Sequence, residues 1–348
     1  MNCDELDLDP PVRAALRRAG LKGVRDVLGV PAVDLQRQTG LFPQDVQRLL
    51  STAAAAWRTR APVPALQLGP GCGLESGLRL SVGCPLLDEL LRGGLPAGGV
   101  TELCGQSGAG KTQLALQLCL TVQYPETHGG LQSGVLYVCT EDRFPIRRLQ
   151  QLISEQSRLR PDVPPEVLSC LRFSDHVYIE HTADLDSLQL CLSRRARVLL
   201  ARGLVRLLVL DSVAAPLRCE FQADDWLTRN KQLLSVSCSL QALSREFRVP
   251  VVCINQVTDV FSQSDETLGP SPSSLSPALG LAWANQVTVR LMMRRLSGTV
   301  SAGGQSSAPR RLEVLFAPHL ARGGRGCAVW REGVRGVAEE EPGGGGGA

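Results

Sequence analysis

The sequence lacks the features that mark zinc-binding, disulfide-bonded and membrane-spanning proteins. Its 12 cysteines form no C-x-x-C pair and no cluster with histidine, so we expect reduced, mostly buried thiols in an intracellular protein. No apolar run is as long as a membrane span. The acidic residues Asp4, Glu5 and Asp7 argue against a secretion or transit signal. These absences predict a soluble protein without a membrane partner.

The chain also has no large excess of positive or negative charge. The 37 Lys and Arg nearly balance the 34 Asp and Glu, and the net charge of +3 neither demands nor excludes a nucleic-acid partner. No dense Lys/Arg cluster marks a nuclear signal, so charge does not distinguish the nucleus from the cytoplasm. What the chain does have is length and apolar content. Its 348 residues, 43% of them hydrophobic, suffice for one large α/β domain and a small second one.

Shifts in composition divide the chain into four segments. We expect a helical N-terminal domain at 1–57, a Pro- and Gly-rich linker at 58–78, a main α/β domain at 79–337 and a disordered tail at 338–348.

The first segment has the pattern of a small helical module, with Gly20 as a helix C-cap. Its apolar spacing predicts helices at 11–19, 24–28, 31–37 and 43–57. Such a module can bind nucleic-acid phosphates through helix N-termini, or it can pack against another protein. The sequence leaves both interpretations open.

Apolar runs and helical stretches alternate through most of the main domain. Strands are predicted at 135–139, 177–179, 207–210, 249–254, 286–291, 311–315 and 327–330. Helices are predicted at 146–157, 185–201 and 231–247, and loops at 160–166, 258–280 and 297–310. The alternation predicts a mostly parallel sheet with helices on both faces. The last three strands have no helices between them, so they predict an antiparallel extension.

The strongest motif lies at Gly105–Thr112, where GQSGAGKT fits the P-loop pattern G-x-x-x-x-G-K-[ST]. A short apolar strand precedes it and a largely apolar helix follows, which is the setting that the motif requires. Glycines let the backbone turn its N–H groups toward an anion. Lys111 can reach the β- and γ-phosphates, and the Thr112 hydroxyl can bind Mg²⁺.

Three further residues end predicted strands at the same sheet edge. Asp211 follows the strand at 207–210 and is positioned to bind Mg²⁺. Glu141 follows the strand at 135–139 and is a candidate general base, although Thr140 and Glu141 also suit a helix N-cap. Gln256 follows the strand at 249–254 and can sense a γ-phosphate or simply be an exposed amide.

The order of these motifs resembles that of the RecA-type recombinase core, and the N-terminal segment resembles the helical domain of eukaryotic recombinases. The similarity covers roughly residues 10–335 and points to a eukaryotic recombinase paralogue. The segments that carry it, besides the motifs above, are 80–95, 123–125, 211–221, 276–286 and 317–320.

The resemblance implies a RecA-like P-loop ATPase core of the α/β class, preceded by a small helical domain. It implies ATP and Mg²⁺ as ligands, with Glu141, Lys111 and Gln256 in catalysis and Thr112 and Asp211 at the metal. It also implies that Arg148 lies near the adenine. The residues implied to bind the nucleotide are therefore Gly105, Gln106, Ser107, Gly108, Ala109, Gly110, Lys111, Thr112 and Arg148.

In the recombinases, two loops that correspond to 216–230 and 258–280 bind single-stranded DNA. Here the first contains Arg218 and Arg229 among three acidic residues, and the second has three acidic residues and no Lys or Arg. Because cations drive binding to a polyanion, we expect weak DNA contact by these loops and a partner that supplies most of that surface.

The linker departs from the recombinase pattern as well. Recombinases carry an aromatic-x-x-Ala motif there that builds a homofilament, whereas this chain has Pro62-Val63-Pro64-Ala65. We therefore expect a heterodimer with another recombinase paralogue that assists a recombinase filament and contacts single-stranded or branched DNA through the complex. The implied role is homologous-recombination repair in the nucleus, with a cytoplasmic pool also expected.

Two other functions compete with a weak, DNA-dependent ATPase. The cation-poor loops also suit a nucleotide-stabilised scaffold with incidental hydrolysis. A P-loop small-molecule kinase is disfavoured, because the sequence shows no Arg-rich lid and instead has Glu141 and Gln256 at strand ends.

Overall fold

The computed structural model describes residue 3 and residues 6–57, 78–222, 225–260 and 274–337. The chain divides into two units, Met1–Ser76 and Gly77–Ala348. The predicted linker, apart from residue 78, and the predicted disordered tail lie outside the described residues. The predicted domain boundaries therefore stay predictions.

The smaller unit is built from short amphipathic helices. They are α1 (Pro10–Arg18), α2 (Val24–Leu28), α3 (Ala32–Thr39) and α4 (Pro43–Trp57). Their apolar faces meet in one core that includes Leu16, Val24, Leu35 and Leu49. Gly20, at a φ of 73°, follows the end of α1, and the left-handed conformation needed there suits glycine. The four predicted helices are confirmed to within a few residues at their ends.

Within its described residues, the larger unit contains one extended sheet and three short strand pairs. Its strands are β1 (Arg79–Leu80), β2 (Leu95–Pro96), β3 (Val100–Cys104), β4 (Gly134–Cys139), β5 (Val177–His181), β6 (Val205–Asp211), β7 (Val251–Asn255), β8 (Val257–Val260), β9 (Ser274–Pro277), β10 (Val289–Arg295), β11 (Val300–Ala302), β12 (Gln305–Ser307), β13 (Pro309–Phe316), β14 (Gly323–Val329) and β15 (Val334–Gly336).

Helices cover both faces of that sheet. They are α5 (Pro85–Leu90), α6 (Lys111–Thr121), α7 (Ile146–Ser154), α8 (Gln156–Leu159), α9 (Pro165–Cys170), α10 (Leu185–Leu190), α11 (Arg197–Ala201), α12 (Ala214–Cys219), α13 (Trp226–Phe247) and α14 (Gly280–Ala284). Short 3₁₀ turns lie at Glu126–His128 and Phe173–His176, and a π-helical segment, Cys191–Ala196, joins α10 to α11.

The main sheet has the strand order β15-β14-β13-β10-β3-β7-β6-β4-β5. Within the run from β10 to β5, each strand is parallel to the next one. The central strands β3, β4 and β7 are buried along their whole length, as expected of parallel strands with helices on both faces. Two core clusters, one on each side of the sheet, result from this arrangement.

Register brings the carboxyl ends of four central strands to one edge. Cys104 of β3 lies opposite Asn255 of β7, and Asp211 of β6 lies opposite both Ile254 of β7 and Cys139 of β4. The segments that follow these strands therefore converge, which is where ligands bind in open α/β sheets.

The antiparallel extension begins one strand later than the sequence predicted. The first of the three strands without intervening helices, β10, pairs in parallel with β3 and antiparallel with β13. Among the described strands of the main sheet, β13, β14 and β15 alone have exclusively antiparallel neighbours. The apolar pattern of a single strand does not reveal which neighbours it pairs with, so sequence could not place this boundary.

The loop and helix predictions also need correction. The predicted loop at 297–310 contains the hairpin β11–β12, whose turn is made by Gly303 and Gly304 at positive φ. The predicted loop at 258–280 contains most of β8, the whole of β9 and the start of α14, and the predicted loop at 160–166 includes the start of α9. The predicted helix at 146–157 is split at Glu155, which lies between α7 and α8. The π-helical segment interrupts the predicted helix at 185–201, and α13 begins at Trp226, ahead of the predicted start at 231.

Candidate nucleotide-binding site

The P-loop connects the end of β3 to the start of α6 and depends on glycine at three positions. Gly105, Gly108 and Gly110 have φ values of 154°, 71° and 108°, which side chains disfavour. A Cβ on Gly105 would lie 2.2 Å from the carbonyl oxygen of Met293 on β10. The loop can therefore pass close to β10 only with glycine there.

A cavity of about 500 Å³ opens above this loop. Ten of the predicted site residues line it: Gly105, Gln106, Ser107, Gly108, Gly110, Lys111, Thr112, Glu141, Asp211 and Gln256. The other lining residues are Gln113, Asp142, Ser212, Ile254, Val257, Arg310 and Val329. Ala109 is fully buried beneath the loop and does not line the cavity.

Lys111 is held on the loop by two backbone carbonyls. Its Nζ donates to the oxygens of Gly105 and Gln106 at 2.7 and 2.8 Å. Burial lowers the pKa of this ammonium from its usual value, while nearby Asp211 and Glu141 act in the opposite direction. Lys111 also lines the cavity, where its cation can meet an anionic phosphate.

Asp211 lies at the centre of an oxygen cluster. Thr112 Oγ1 donates to Asp211 Oδ2 at 3.1 Å, and the buried Tyr137 hydroxyl donates to the same oxygen at 2.6 Å. Desolvation raises the pKa of Asp211, and these two hydrogen bonds and Lys111 lower it. Burial first and Asp211 second raise the pKa of Tyr137 well above its usual value, so Tyr137 remains a proton donor.

The Thr112 hydroxyl and the Asp211 carboxylate are hard oxygen ligands, the type that Mg²⁺ prefers. No group of three or more His, Cys, Asp or Glu side chains within the described ranges could hold a metal ion. A Mg²⁺ ion at Thr112 and Asp211 would thus depend on nucleotide phosphates and water for its remaining ligands, which is how nucleotide-bound Mg²⁺ is usually held.

Glu141, the candidate base, lies opposite Gln256 across the mouth of the cavity. Gln256 Nε2 donates to Glu141 Oε2 at 3.3 Å, and Ser212 Oγ donates to the same oxygen at 3.5 Å. The N-cap interpretation of Thr140 and Glu141 is wrong, because α7 begins only at Ile146. The Thr140 hydroxyl instead donates to the Ser212 carbonyl at 2.6 Å and accepts from the Ser212 N–H at 2.8 Å.

A third side chain, missed by the sequence reasoning as part of this site, contacts both of these residues. Arg218 of α12 forms an ion pair with Glu141 at 2.9 Å and donates a second hydrogen bond to Gln256 Oε1. From the sequence, Arg218 is expected in the segment 216–230, which corresponds to a DNA-binding loop of the recombinases. No local motif signals the contact, because α12 and the strand ends that carry Glu141 and Gln256 are distant in sequence.

A buried polar network supports the segment that carries Gln256. Asn255 Nδ2 donates to Glu102 Oε1 at 2.6 Å and to the Ala278 carbonyl at 2.9 Å, and Asn255 Oδ1 accepts from the Gln256 N–H at 2.8 Å. Arg290 of β10 pairs with the other Glu102 oxygen. Glu102 and Asn255 are fully buried, so this network fixes where β7 ends.

Arg148, expected near the adenine, lies outside the cavity lining. Its Nη2 donates to the Trp330 carbonyl at 2.7 Å and its Nη1 to the Arg331 carbonyl at 2.9 Å. Its Nε donates to Gln113 Oε1 at 2.6 Å, and Gln113 does line the cavity. Burial lowers the pKa of Arg148. The adenine contact stays a prediction.

Comparisons with known proteins show the family to which the chain belongs. A family model described as Rad51 matches residues 75–323. The chain belongs to the Rad51 family. A second model, described as an XRCC3/RpoA-like helix-hairpin-helix domain, matches residues 3–57 of this Rad51-family chain.

Several relatives of the Rad51-family chain align along most of its length. It is 50% identical over 339 residues to DNA repair protein XRCC3 of Bos taurus, covering 97% of this chain and 98% of the relative. It is 49% identical over 343 residues to DNA repair protein XRCC3 of Mus musculus, with the same coverage. It is 32% identical over 304 residues to DNA repair protein RAD51 homolog 2 of Homo sapiens, covering 81% and 77%.

These matches confirm the expected RecA-like core with a helical N-terminal domain and the resemblance to a eukaryotic recombinase paralogue. The relatives' names agree with the recombination-repair role expected of the Rad51-family chain. In the part of the chain that the structure describes, no helix is both long and apolar enough to cross a membrane.

Proposed function

We propose that this Rad51-family chain is an ATP-binding recombinase paralogue in homologous-recombination repair of DNA double-strand breaks. It forms a hetero-complex with another paralogue, and the complex assists recombinase filaments and processes recombination intermediates. One observation carries the nucleotide part of this proposal: Lys111, Thr112, Asp211, Glu141 and Gln256 converge on a single cavity above a glycine-shaped loop.

In the proposed ATP-bound state, the backbone N–H groups of the loop Gly105–Thr112 surround the phosphates of ATP. Lys111 exchanges its two carbonyl contacts for the β- and γ-phosphates. The Thr112 hydroxyl and the Asp211 carboxylate, 3.1 Å apart, hold Mg²⁺. When bound, Mg²⁺ neutralises charge on the phosphates.

Hydrolysis is proposed to depend on Glu141, whose carboxylate orients a water molecule and accepts its proton. Gln256 lies beside it and contacts the terminal phosphate. The residue after Gln256 begins β8, and the Gln256 carbonyl accepts from the Ala278 N–H at 2.9 Å. A shift of Gln256 would therefore reach the antiparallel strand pair β8–β9, which belongs to the second segment that corresponds to a DNA-binding loop of the recombinases.

DNA and partner contacts are proposed to belong to the complex. Arg218, one of the two arginines in the first expected DNA segment, has its guanidinium engaged with Glu141 and Gln256. A partner chain would supply the cations that a DNA strand requires. A nuclear location, with a cytoplasmic pool, follows from this role.

The test of the nucleotide site is ATP binding by the full chain and by a Lys111→Ala variant. Loss of the charged contact to phosphate should weaken ATP binding by about 10- to 100-fold. Lys231→Ala, at an exposed position on α13, is a matched control that should bind as the unsubstituted chain does. Equal affinity of the Lys111 variant and the control would rule out this site.

The second candidate function is a nucleotide-stabilised scaffold. It is favoured because Arg218 of α12 is engaged with Glu141 and Gln256 and is therefore not free to bind DNA. The purified complex would then show no DNA-stimulated turnover. Cells with Glu141→Gln would also repair double-strand breaks normally, whereas cells with Lys111→Ala would not. Loss of repair with Glu141→Gln favours the ATPase.

A further inference from the structure

The helix α12 places one guanidinium against two of the proposed catalytic residues, Glu141 and Gln256. Arg218 Nη2 lies 2.9 Å from Glu141 Oε1, and Nη1 donates to Gln256 Oε1. The Gln256 amide in turn donates to the second Glu141 oxygen at 3.3 Å. Each of the three side chains therefore contacts the other two. Arg218 does not line the cavity itself, so it acts from behind Glu141 and Gln256.

The backbone that carries Arg218 is fixed at both ends. α12 starts shortly after Asp211 and Ser212, and its residues 214–217 are buried against the core. Just past its end, the Glu220 carboxylate accepts a hydrogen bond from the Leu185 N–H at 2.6 Å. The helix therefore presents Arg218 to the cavity edge from a constrained position, although the arginine side chain is 43% exposed.

The planar guanidinium suits this arrangement better than an ammonium would. Its fork carries several donors in fixed directions, so it can bind a carboxylate and an amide oxygen together. Without it, the exposed Glu141 side chain and the Gln256 amide would keep their own 3.3 Å hydrogen bond, and Glu141 would keep the 3.5 Å contact from Ser212.

We propose that Arg218 is a positioning residue of the nucleotide site, which holds the Glu141 carboxylate and the Gln256 amide at the γ-phosphate end of the cavity. This inference rests on the proposed ATPase function. It assigns Arg218 to the nucleotide site rather than to the segment that corresponds to a DNA-binding loop of the recombinases.

The experiment measures ATP turnover, ADP binding and single-stranded DNA binding, and compares the unsubstituted full chain with the variants Arg218→Ala, Arg218→Lys and Arg197→Ala. Arg197 pairs with Glu246 at 2.7 Å, and the two side chains are 45% and 46% exposed, close to the 43% and 44% of Arg218 and Glu141. The control thus removes an equivalent surface ion pair far from the cavity lining.

For Arg218→Ala we expect kcat to fall by about tenfold or more, because the base and the sensing amide lose their alignment. ADP affinity and KM should stay within about twofold of the unsubstituted chain. Arg218→Lys keeps the positive charge but not the planar guanidinium, so its kcat should lie between those of Arg218→Ala and the unsubstituted chain. In a Glu141→Gln background, Arg218→Ala should change turnover by less than about twofold, because the carboxylate base that Arg218 positions is already absent.

Four results would overturn the inference. Turnover of Arg218→Ala equal to that of Arg197→Ala would show that the contact has no catalytic role. An equal loss of kcat and ADP affinity would indicate general damage to the fold. Loss of single-stranded DNA binding with normal turnover would identify a DNA contact instead. Absence of turnover in the unsubstituted chain would refute the ATPase and, with it, this inference.

Discussion

Replacing Glu102 by Gln should destabilise the larger unit more than any comparable change at its surface. Glu102 is fully buried in β3, where one carboxylate oxygen accepts from Asn255 and the other pairs with Arg290 of β10. Glutamine keeps the shape of the side chain but leaves the Arg290 charge without its counterion. Arg290 Nη2 already has no hydrogen-bond partner among the described residues, so that nitrogen offers no substitute contact.

The magnitude follows from the burial of the pair. The Arg290 side chain is only 16% exposed and that of Glu102 is not exposed at all. Removing one partner of a buried ion pair costs about 3–5 kcal/mol of unfolding free energy. For a unit of this size that corresponds to a fall in Tm of roughly 6–20 °C. An exposed pair is worth about 0–1 kcal/mol, so Glu246→Gln, which breaks the pair with Arg197, should be nearly silent.

The assay is chemical denaturation of the full chain, with Tm as a second measure. A double variant, Glu102→Leu with Arg290→Met, removes both charges and should lose less stability than Glu102→Gln alone. ATP turnover should fall in Glu102→Gln, because Asn255 also fixes the Gln256 N–H. The reasoning is refuted if Glu102→Gln costs less than about 1 kcal/mol, or if the double variant is the less stable of the two.

Two further predictions concern the cavity. Gly105→Ala should weaken ATP binding by about tenfold or more in a titration, because strain and the clash with the Met293 carbonyl displace the loop, whereas Gly203→Ala, at a φ of 69° in open space, should not. In Tyr137→Phe the pKa of Asp211 should rise further, since the lost hydrogen bond lowers it. Protons compete with Mg²⁺ for the Asp211 carboxylate. As the pH falls, Mg²⁺-dependent nucleotide binding should therefore be lost at a higher pH in Tyr137→Phe than in the unsubstituted chain. An unchanged pH profile would contradict that role of Tyr137.

Much of the site was predictable because its residues follow strands in a fixed order. The P-loop pattern indicates its own backbone geometry. Asp211 ends one apolar strand, and Glu141 and Gln256 follow two others, so the three must meet at one edge of a parallel sheet. The contributing residues that were not identified from the sequence carry no local sequence signal. Tyr137 has the appearance of an ordinary core aromatic inside β4, and Glu102 interrupts an apolar strand without a visible partner.

The sequence by itself determined the helical module, the P-loop and the alternation of strands and helices, because periodicity and glycine requirements act over a few residues. Only the tertiary structure decided which side chains meet across elements. It pairs β10 with β3, joins Glu102 to Arg290, and brings Arg218 to Glu141 and Gln256. Those contacts depend on sheet order and register, which are set by the packing of the whole core rather than by any local pattern.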